Sequence, residues 1–323
     1  MFKRGSAMPH TLPHRRRLLA GLGLLPAALA CRAARADGRV ELRVGDQKGG
    51  LRSILEAAGA LRDLPFDIRW YEFPAAAPLL EALNAGAIEV GVAGDAPLIF
   101  AQASGAKLRA FSARRTDPVG VAVVAKAGSP LTDAASLKGR SIATGRGSIG
   151  HFIALAALRQ AGLRFDDVTF RFMLPSDAKL ALHAGSVDAW STWDPYTALA
   201  ETVDHAKVIV TGRGLSSGLT YLIGTEPALR DKPAALAELA RRVRTATGWA
   251  VAHPDEYSAV FAQALGIPLD AARLTFTRSR PQWAAIDPTV IAEQQRTADL
   301  YLDAGLIGAR LDAAAGFARL GTA

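Results

Sequence analysis

Residues 145–158 read GRGSIGHFIALAAL, and the turn that opens them has a counterpart one hundred positions earlier: residues 43–50, RVGDQKGG, against residues 143–150, ATGRGSIG. Gly45 matches Gly145 and Gly50 matches Gly150. The likeness continues, with residues 66–74, FDIRWYEFP, corresponding to residues 168–175, VTFRFMLP, each an apolar and aromatic strand ending in proline. Next come LLEALNAGAIEVGVAGDAP and KLALHAGSVDAWSTWDP. In both, a helix ends at Ala-Gly and an aspartate stands nine residues past that glycine, Gly86 to Asp95 and Gly185 to Asp194. Each copy therefore reads strand, glycine turn, helix, strand, proline, helix, glycine, strand, aspartate.

Strands alternating with helices predict parallel sheet built from right-handed crossovers. Two copies predict an α/β protein of two lobes, each a doubly wound, mostly parallel sheet flanked by helices. Such sheets bind ligands beyond the carboxyl ends of their strands, at the switch in strand order. Both glycine turns and both aspartates fall there, so each lobe presents a half-site and a cleft between facing lobes follows. Residues 119–125, VGVAVVA, with the loop 126–130, and residues 220–224, TYLIG, after the Gly- and Ser-rich run 211–218, predict two crossings between lobes, a natural hinge. The expected division is residues 37–122 and 221–323 in one lobe and 123–220 in the other. Beyond the second crossing, helices are expected over 233–252, 255–265 and 288–304, packing back on the first lobe.

The chain of 323 residues carries a formal charge of +8, with 38 basic and 30 acidic residues. Seven of the basic residues and no acid lie in residues 1–36; removing seven from 38 leaves 31 against 30, so the rest is nearly neutral. No electrostatic case for nucleic acid remains. The basic head precedes an apolar stretch, residues 18–30, too short to span a bilayer, and then small residues: a secretory signal. Arg15, Arg16, Arg17, Leu18 and Leu19 resemble a twin-arginine export motif. Cleavage is expected after Ala36; the rival site, Ala28 to Cys31, resembles a lipoprotein box and would lipidate Cys31. Cys31 is the single cysteine, so cleavage after Ala36 leaves no disulfide, thiolate metal site or cysteine nucleophile.

The hexapeptide 145–150 fits G-x-G-x-x-G, the dinucleotide fingerprint. That reading needs an acid at the carboxyl end of the following strand, and Asp166 and Asp167 precede the strand instead. No cofactor and no metal is expected. The physics of the turn remains: a helix beginning near Ile149 leaves N–H groups unpaired at its positive end, the glycines, Gly147 among them, let an oxyanion approach, and Ser148 adds a hydroxyl, or simply caps. Gln47 and Lys48 can donate to the same anion from the first turn. Asp95 and Asp194 either cap the following helices or contact ligand. Of Trp190 and Trp193, one packs within its lobe and the other is free to cover an apolar ligand tail. His151 is expected to face solvent or donate to the anion, and Arg146 to be exposed.

Together the segments GDQKGG, WYEFPAAAPLLEALNAGAIEVG, AGDAPLIFAQASGAKL, SLKGRSIATGRGSIGH, LPSDAKLALHAGSVDAWSTWDPY and IAEQQRTADLY resemble the periplasmic substrate-binding proteins of aliphatic sulfonate ABC transporters, from residue 42 to residue 306. The resemblance implies a two-lobed type II clamshell that does no chemistry. It would act as a monomer, closing on a small sulfonate and delivering it to an inner-membrane permease with a cytoplasmic ATPase. It also implies that the sulfonate lies near Gln47 and Lys48, near Asp95 and Ala96, near Ser148 and Ile149, and near Trp193 and Asp194. Three departures bear on the ligand. Asp46 stands where relatives often carry Tyr, Leu98 where they commonly have a second Pro, and residues 111–120, FSARRTDPVG, have little likeness to the family. Taurine, nitrate, bicarbonate or a nitrogenous compound is an alternative ligand. Desulfinases and thiamine-pyrimidine synthases, which resemble this fold, are the enzyme alternative.

Overall fold

The computed structural model describes residues 39–320; the expected export segment, with Arg15 to Arg17 and Cys31, lies outside them. The first copy of the repeat is β1 (Val40–Gln47), α1 (Leu51–Ala57), β2 (Phe66–Phe73), α2 (Ala76–Asn84), β3 (Val90–Gly94) and α3 (Asp95–Ala103). After β4 (Leu108–Arg115) the chain passes through residues 116–121 into β5 (Ala122–Ala125). The second copy follows as β6 (Ser141–Thr144), α4 (Ile149–Gln160), β7 (Thr169–Phe172), α5 (Pro175–Ala184), β8 (Ala189–Thr192) and α6 (Tyr196–Thr202). β9 (Lys207–Thr211) leads through residues 212–218 into β10 (Leu219–Thr225), and the tail comprises α7 (Glu226–Asp231), α8 (Pro233–Ala252), α9 (Pro254–Leu265), α10 (Leu269–Ser279), β11 (Gln282–Ala284) and α11 (Pro288–Asp303).

The strands form two sheets, ordered β11-β4-β10-β3-β1-β2 and β7-β6-β8-β5-β9. The two copies thus use the same local order, the first strand of each lying between the second and the third. In both sheets the repeat strands run parallel; of the reversed strands, β5 and β10 are those the chain enters on passing between sheets, and β11 is added antiparallel to β4 at the sheet edge. This gives two mixed sheets in an α/β architecture. Strands β5 and β8, AVVA and AWST, are buried along their whole length, as central strands covered on both faces must be.

The tail departs from the sequence reading in two ways. First, α10 and β11 were not expected: the buried stripe of α10 is Ala271, Ala272 and Thr275, too weakly apolar to register as a helical period. Second, the tail does not pack on one sheet alone. Helices α8 and α9 cover α1 through Leu236, Leu239 and Tyr257 against Ile54 and Leu55. In α11, by contrast, Ala298, Leu300 and Tyr301 share a core with Ile99 of α3 and with Phe152 and Ile153 of α4. One continuous apolar cluster therefore joins helices from both copies of the repeat.

Candidate functional site

The carboxyl ends of the repeat strands and the helix starts that follow them border a cleft of about 1210 Å³, lined by strand residues of the six-stranded sheet, by the turns and helix starts that follow β6, β7 and β8, and by residues of α9 and α10. Gln47, Lys48, Asp95, Gly147, Ser148, Ile149, Trp193 and Asp194 all line it. Ala96 and His151 do not.

The helix starts around the cleft differ in what fills them. At α1, Asp46 folds back so that Oδ1 accepts from Leu51 N–H (2.7 Å) and Oδ2 from Arg52 N–H (2.8 Å). Gly50 makes this possible, because a Cβ there would lie 2.5 Å from Asp46 Oδ1. At α3, the buried Asp95 accepts from Ala96 N–H (2.7 Å) and from the Ser217 hydroxyl (2.7 Å). Burial raises the pKa of Asp46 and of Asp95, and these hydrogen bonds oppose the rise. At α6, Asp194 accepts from Ala198 N–H (3.1 Å) and pairs with Arg278 of α10, whose Nε lies 2.8 Å from Oδ2; Arg278 also reaches Glu201 at 2.6 Å. Three helix starts thus already hold a carboxylate of the chain itself.

The start of α4 holds none. Its cap is the neutral hydroxyl of Ser148, which accepts from His151 N–H (3.2 Å), and among the described residues the N–H groups of Ile149 and Gly150 have no acceptor. The start of α2, at Ala75, likewise has no side-chain cap. The two glycine turns are therefore not equivalent, contrary to the sequence reading: the first is filled from within and the second is open.

Three of the expected site residues, His151, Gly147 and Ala96, are committed to contacts within the fold. His151, expected to face solvent or an anion, does not face solvent and does not line the cleft. It is 1% exposed, wedged edge-on between Phe170 and Phe172, and its Nδ1 accepts from Gly147 N–H (3.2 Å). Burial, then Arg146, lowers its pKa to about 4, so the ring is neutral. Gly147 has φ of +67°, and a Cβ would lie 2.4 Å from the Phe100 ring; its role is the left-handed turn and close packing against α3, and its N–H is already spent on His151. Gly150, similarly, sits where a Cβ would be 2.5 Å from Ser191 O, so it serves helix-on-strand contact. Ala96 is fully buried and contributes its N–H to Asp95.

The remaining residues singled out in the sequence lie as follows. Trp190 is 2% exposed in the core, whereas Trp193 lines the cleft edge-on to Tyr196. Lys48 and Arg146 are exposed, Arg146 lying 5.0 Å over the Phe172 ring, and Gln47 donates to Val92 O at 3.3 Å. No group of three or more metal-ligating side chains occurs among the described residues, and no described helix is long and apolar enough to cross a membrane.

A family model described as NMT1/THI5 like matches residues 67–257. The chain is also 32% identical to a protein of Escherichia coli (strain K12) named for aliphatic sulfonate binding, over 91% of this chain and 93% of that one. The chain belongs to the NMT1/THI5-like family. Among solved structures, the alkanesulfonate-binding protein SsuA from Xanthomonas axonopodis pv. citri, bound to MOPS, superposes with a TM-score of 0.81 at 31% identity, covering 88% of this chain and 100% of that one. The periplasmic aliphatic sulphonate binding protein SsuA from Escherichia coli gives 0.77 at 31%, over 88% and 93%. The fold is thus the two-lobed one of these binding proteins. The desulfurization enzyme DSZB shares the fold alone, at 18% identity.

Within this NMT1/THI5-like frame, sequence reasoning missed Arg278, Phe100 and Tyr301, the last donating its hydroxyl to Ser148 O at 3.1 Å. It also missed Arg114, which lines the cleft from the carboxyl end of β4. The available signal was the alternation in that strand, where Ser112 and Arg114 share the cleft side and Arg115 turns away to Glu293.

Proposed function

We propose that the protein is an extracytoplasmic solute-binding protein that closes two lobes on an aliphatic sulfonate and delivers it, as a monomer, to an inner-membrane ABC permease with a cytoplasmic ATPase. The observation that carries this reading is the match over the whole length of an alkanesulfonate-binding protein at 31% identity. In this proposal the six-stranded sheet with its helices is one lobe and the five-stranded sheet the other, with boundaries at residues 116–121 and 212–218. The sulfonate meets the Ser148 hydroxyl and Ile149 N–H at the open start of α4, where the helix dipole favours an anion. Gln47 and Lys48 approach from the facing wall, Trp193 covers the tail, and Asp95 and Asp194 hold the helix starts in place. Residues 1–36 export the chain to the periplasm, Arg15 to Arg17 acting as a twin-arginine signal. Closure needs no chemistry, only a ligand that binds the closed state better than the open one. An enzyme of the desulfinase kind would lack its nucleophile, since Cys31, the single cysteine, lies within the proposed export segment, residues 1–36.

A thermal-shift panel of alkanesulfonates, sulfate esters, taurine and nitrate tests the reading. Alkanesulfonates should raise the melting temperature with concentration, by a stabilisation of about 2.7 kcal/mol at one hundred times Kd. Stabilisation by nitrate or taurine alone, or release of sulfite on incubation, would contradict it.

A further inference from the structure

Counted formally, the cleft ought to repel an anion. Asp46, Glu72, Glu81, Asp95, Asp117 and Asp194 line it, against Lys48, Arg114 and Arg146. The count misleads because most of these charges are already committed or lie in solvent. Both oxygens of Asp46 are taken by α1, Asp95 by Ser217 and its own helix, and Asp194 by Arg278. Asp117 accepts from Arg213 Nε at 3.2 Å and from Val119 N–H. Glu72, Glu81, Lys48 and Arg146 are exposed on the rim.

Arg114 is different. It is half-buried, and among the described residues its guanidinium has no hydrogen bond and no ion pair. Its neighbours in β4 show the contrast: Arg109 pairs with Glu226 and Arg115 with Glu293. In the strand register Arg114 stands between Thr220 of β10 and Trp283 of β11, and all three line the cleft. Burial pushes its pKa below the ordinary arginine value and Asp46 opposes the shift, yet a guanidinium keeps its proton in proteins. A half-buried cation with no hydrogen-bonding partner among the described residues is partly desolvated at a cost, and a ligand oxyanion offsets that cost.

We infer that Arg114 is the cation that receives the ligand's anionic head group, with Thr220 as a hydroxyl neighbour and Trp283 flanking it. This rests on the reading of the protein as an anion-binding clamshell and adds the residue that makes an acid-rich cleft select an anion. A guanidinium also matches the oxygen spacing of a sulfonate in a way an ammonium does not.

Calorimetric titration with hexanesulfonate, beside melting curves without ligand, tests this on wild type, Arg114→Gln and Arg114→Lys. The expected result is a loss of affinity of at least about 30-fold in R114Q. Affinity in R114K should be intermediate, and the ligand-free melting temperature of R114Q should be close to or above that of wild type, because the substitution relieves a partly desolvated charge and breaks no hydrogen bond or ion pair among the described residues. Affinity within about threefold of wild type in R114Q, less than the loss of one hydrogen bond to a charged group, overturns the inference and leaves the clamshell reading standing. A lower ligand-free melting temperature in R114Q together with weak binding in R114K overturns it in favour of a structural arginine. Should wild type bind nitrate and no sulfonate, the sulfonate reading falls, and the same three proteins titrated with nitrate decide Arg114. No binding of any anion by wild type removes both.

Discussion

His151 shows how far one buried side chain can depart from its sequence context. It follows a helix cap in a motif that suggests an anion site, yet it serves as a neutral acceptor for Gly147 N–H inside an aromatic box. Its ordinary pKa of 6.5 is lowered to about 4 by burial first and Arg146 second. Between those values the unfolded chain binds a proton that the folded chain refuses. Its contribution to stability is therefore complete above pH 6.5 and is lost as the pH falls toward 4, about 3 kcal/mol in all. His151→Gln keeps an acceptor but does not titrate. Urea unfolding of this variant between pH 6.5 and 4 should show a pH dependence shallower by roughly that amount; an unchanged slope would assign the acid sensitivity to other groups.

At the scale of elements, the two copies of the repeat build the same order of strands and helices and then diverge at one helix start. The Asp46 carboxylate caps α1, while Ser148 caps α4 and leaves its N–H groups open. Gly50→Ala should displace Asp46 and remove that cap, costing about 1 to 2 kcal/mol. Melting curves should show the loss, whereas an unchanged melting temperature would mean that Asp46 can cap from another rotamer. The repeat itself was legible because strand and helix periods, proline starts and glycine ends all recur in sequence. Who fills a helix start was not legible, since Asp46 and Gly50 are four residues apart and their contact depends on the turn between them. Arg114 was hidden for a related reason: two adjacent arginines at a strand end look alike in sequence, and pleating sends one to Glu293 and the other to the cleft. Asp194 was recognised as a cap or ligand contact, but its partner Arg278 lies 84 residues away on a helix whose stripe of Ala and Thr gave no period.

Across the whole molecule, the chain passes twice between the sheets, and a shared core of α3, α4 and α11 ties the open helix start to the rest. Phe100 packs on the Gly147 turn and Tyr301 donates to Ser148 O, so the proposed anion turn is held from the six-stranded side as well as by its own sheet. Positioning groups from both copies in this way reduces the ordering that a ligand must bring about, which favours affinity. On this reading an anion enters the cleft at the start of α4 and against Arg114. A crystal structure with hexanesulfonate bound would decide between these positions. The sulfonate oxygens should lie within hydrogen-bond reach of Ile149 N–H, the Ser148 hydroxyl and the Arg114 guanidinium, with the alkyl chain against Trp193; a sulfonate seated at α1 in place of the Asp46 carboxylate, or outside the cleft, would refute this placement.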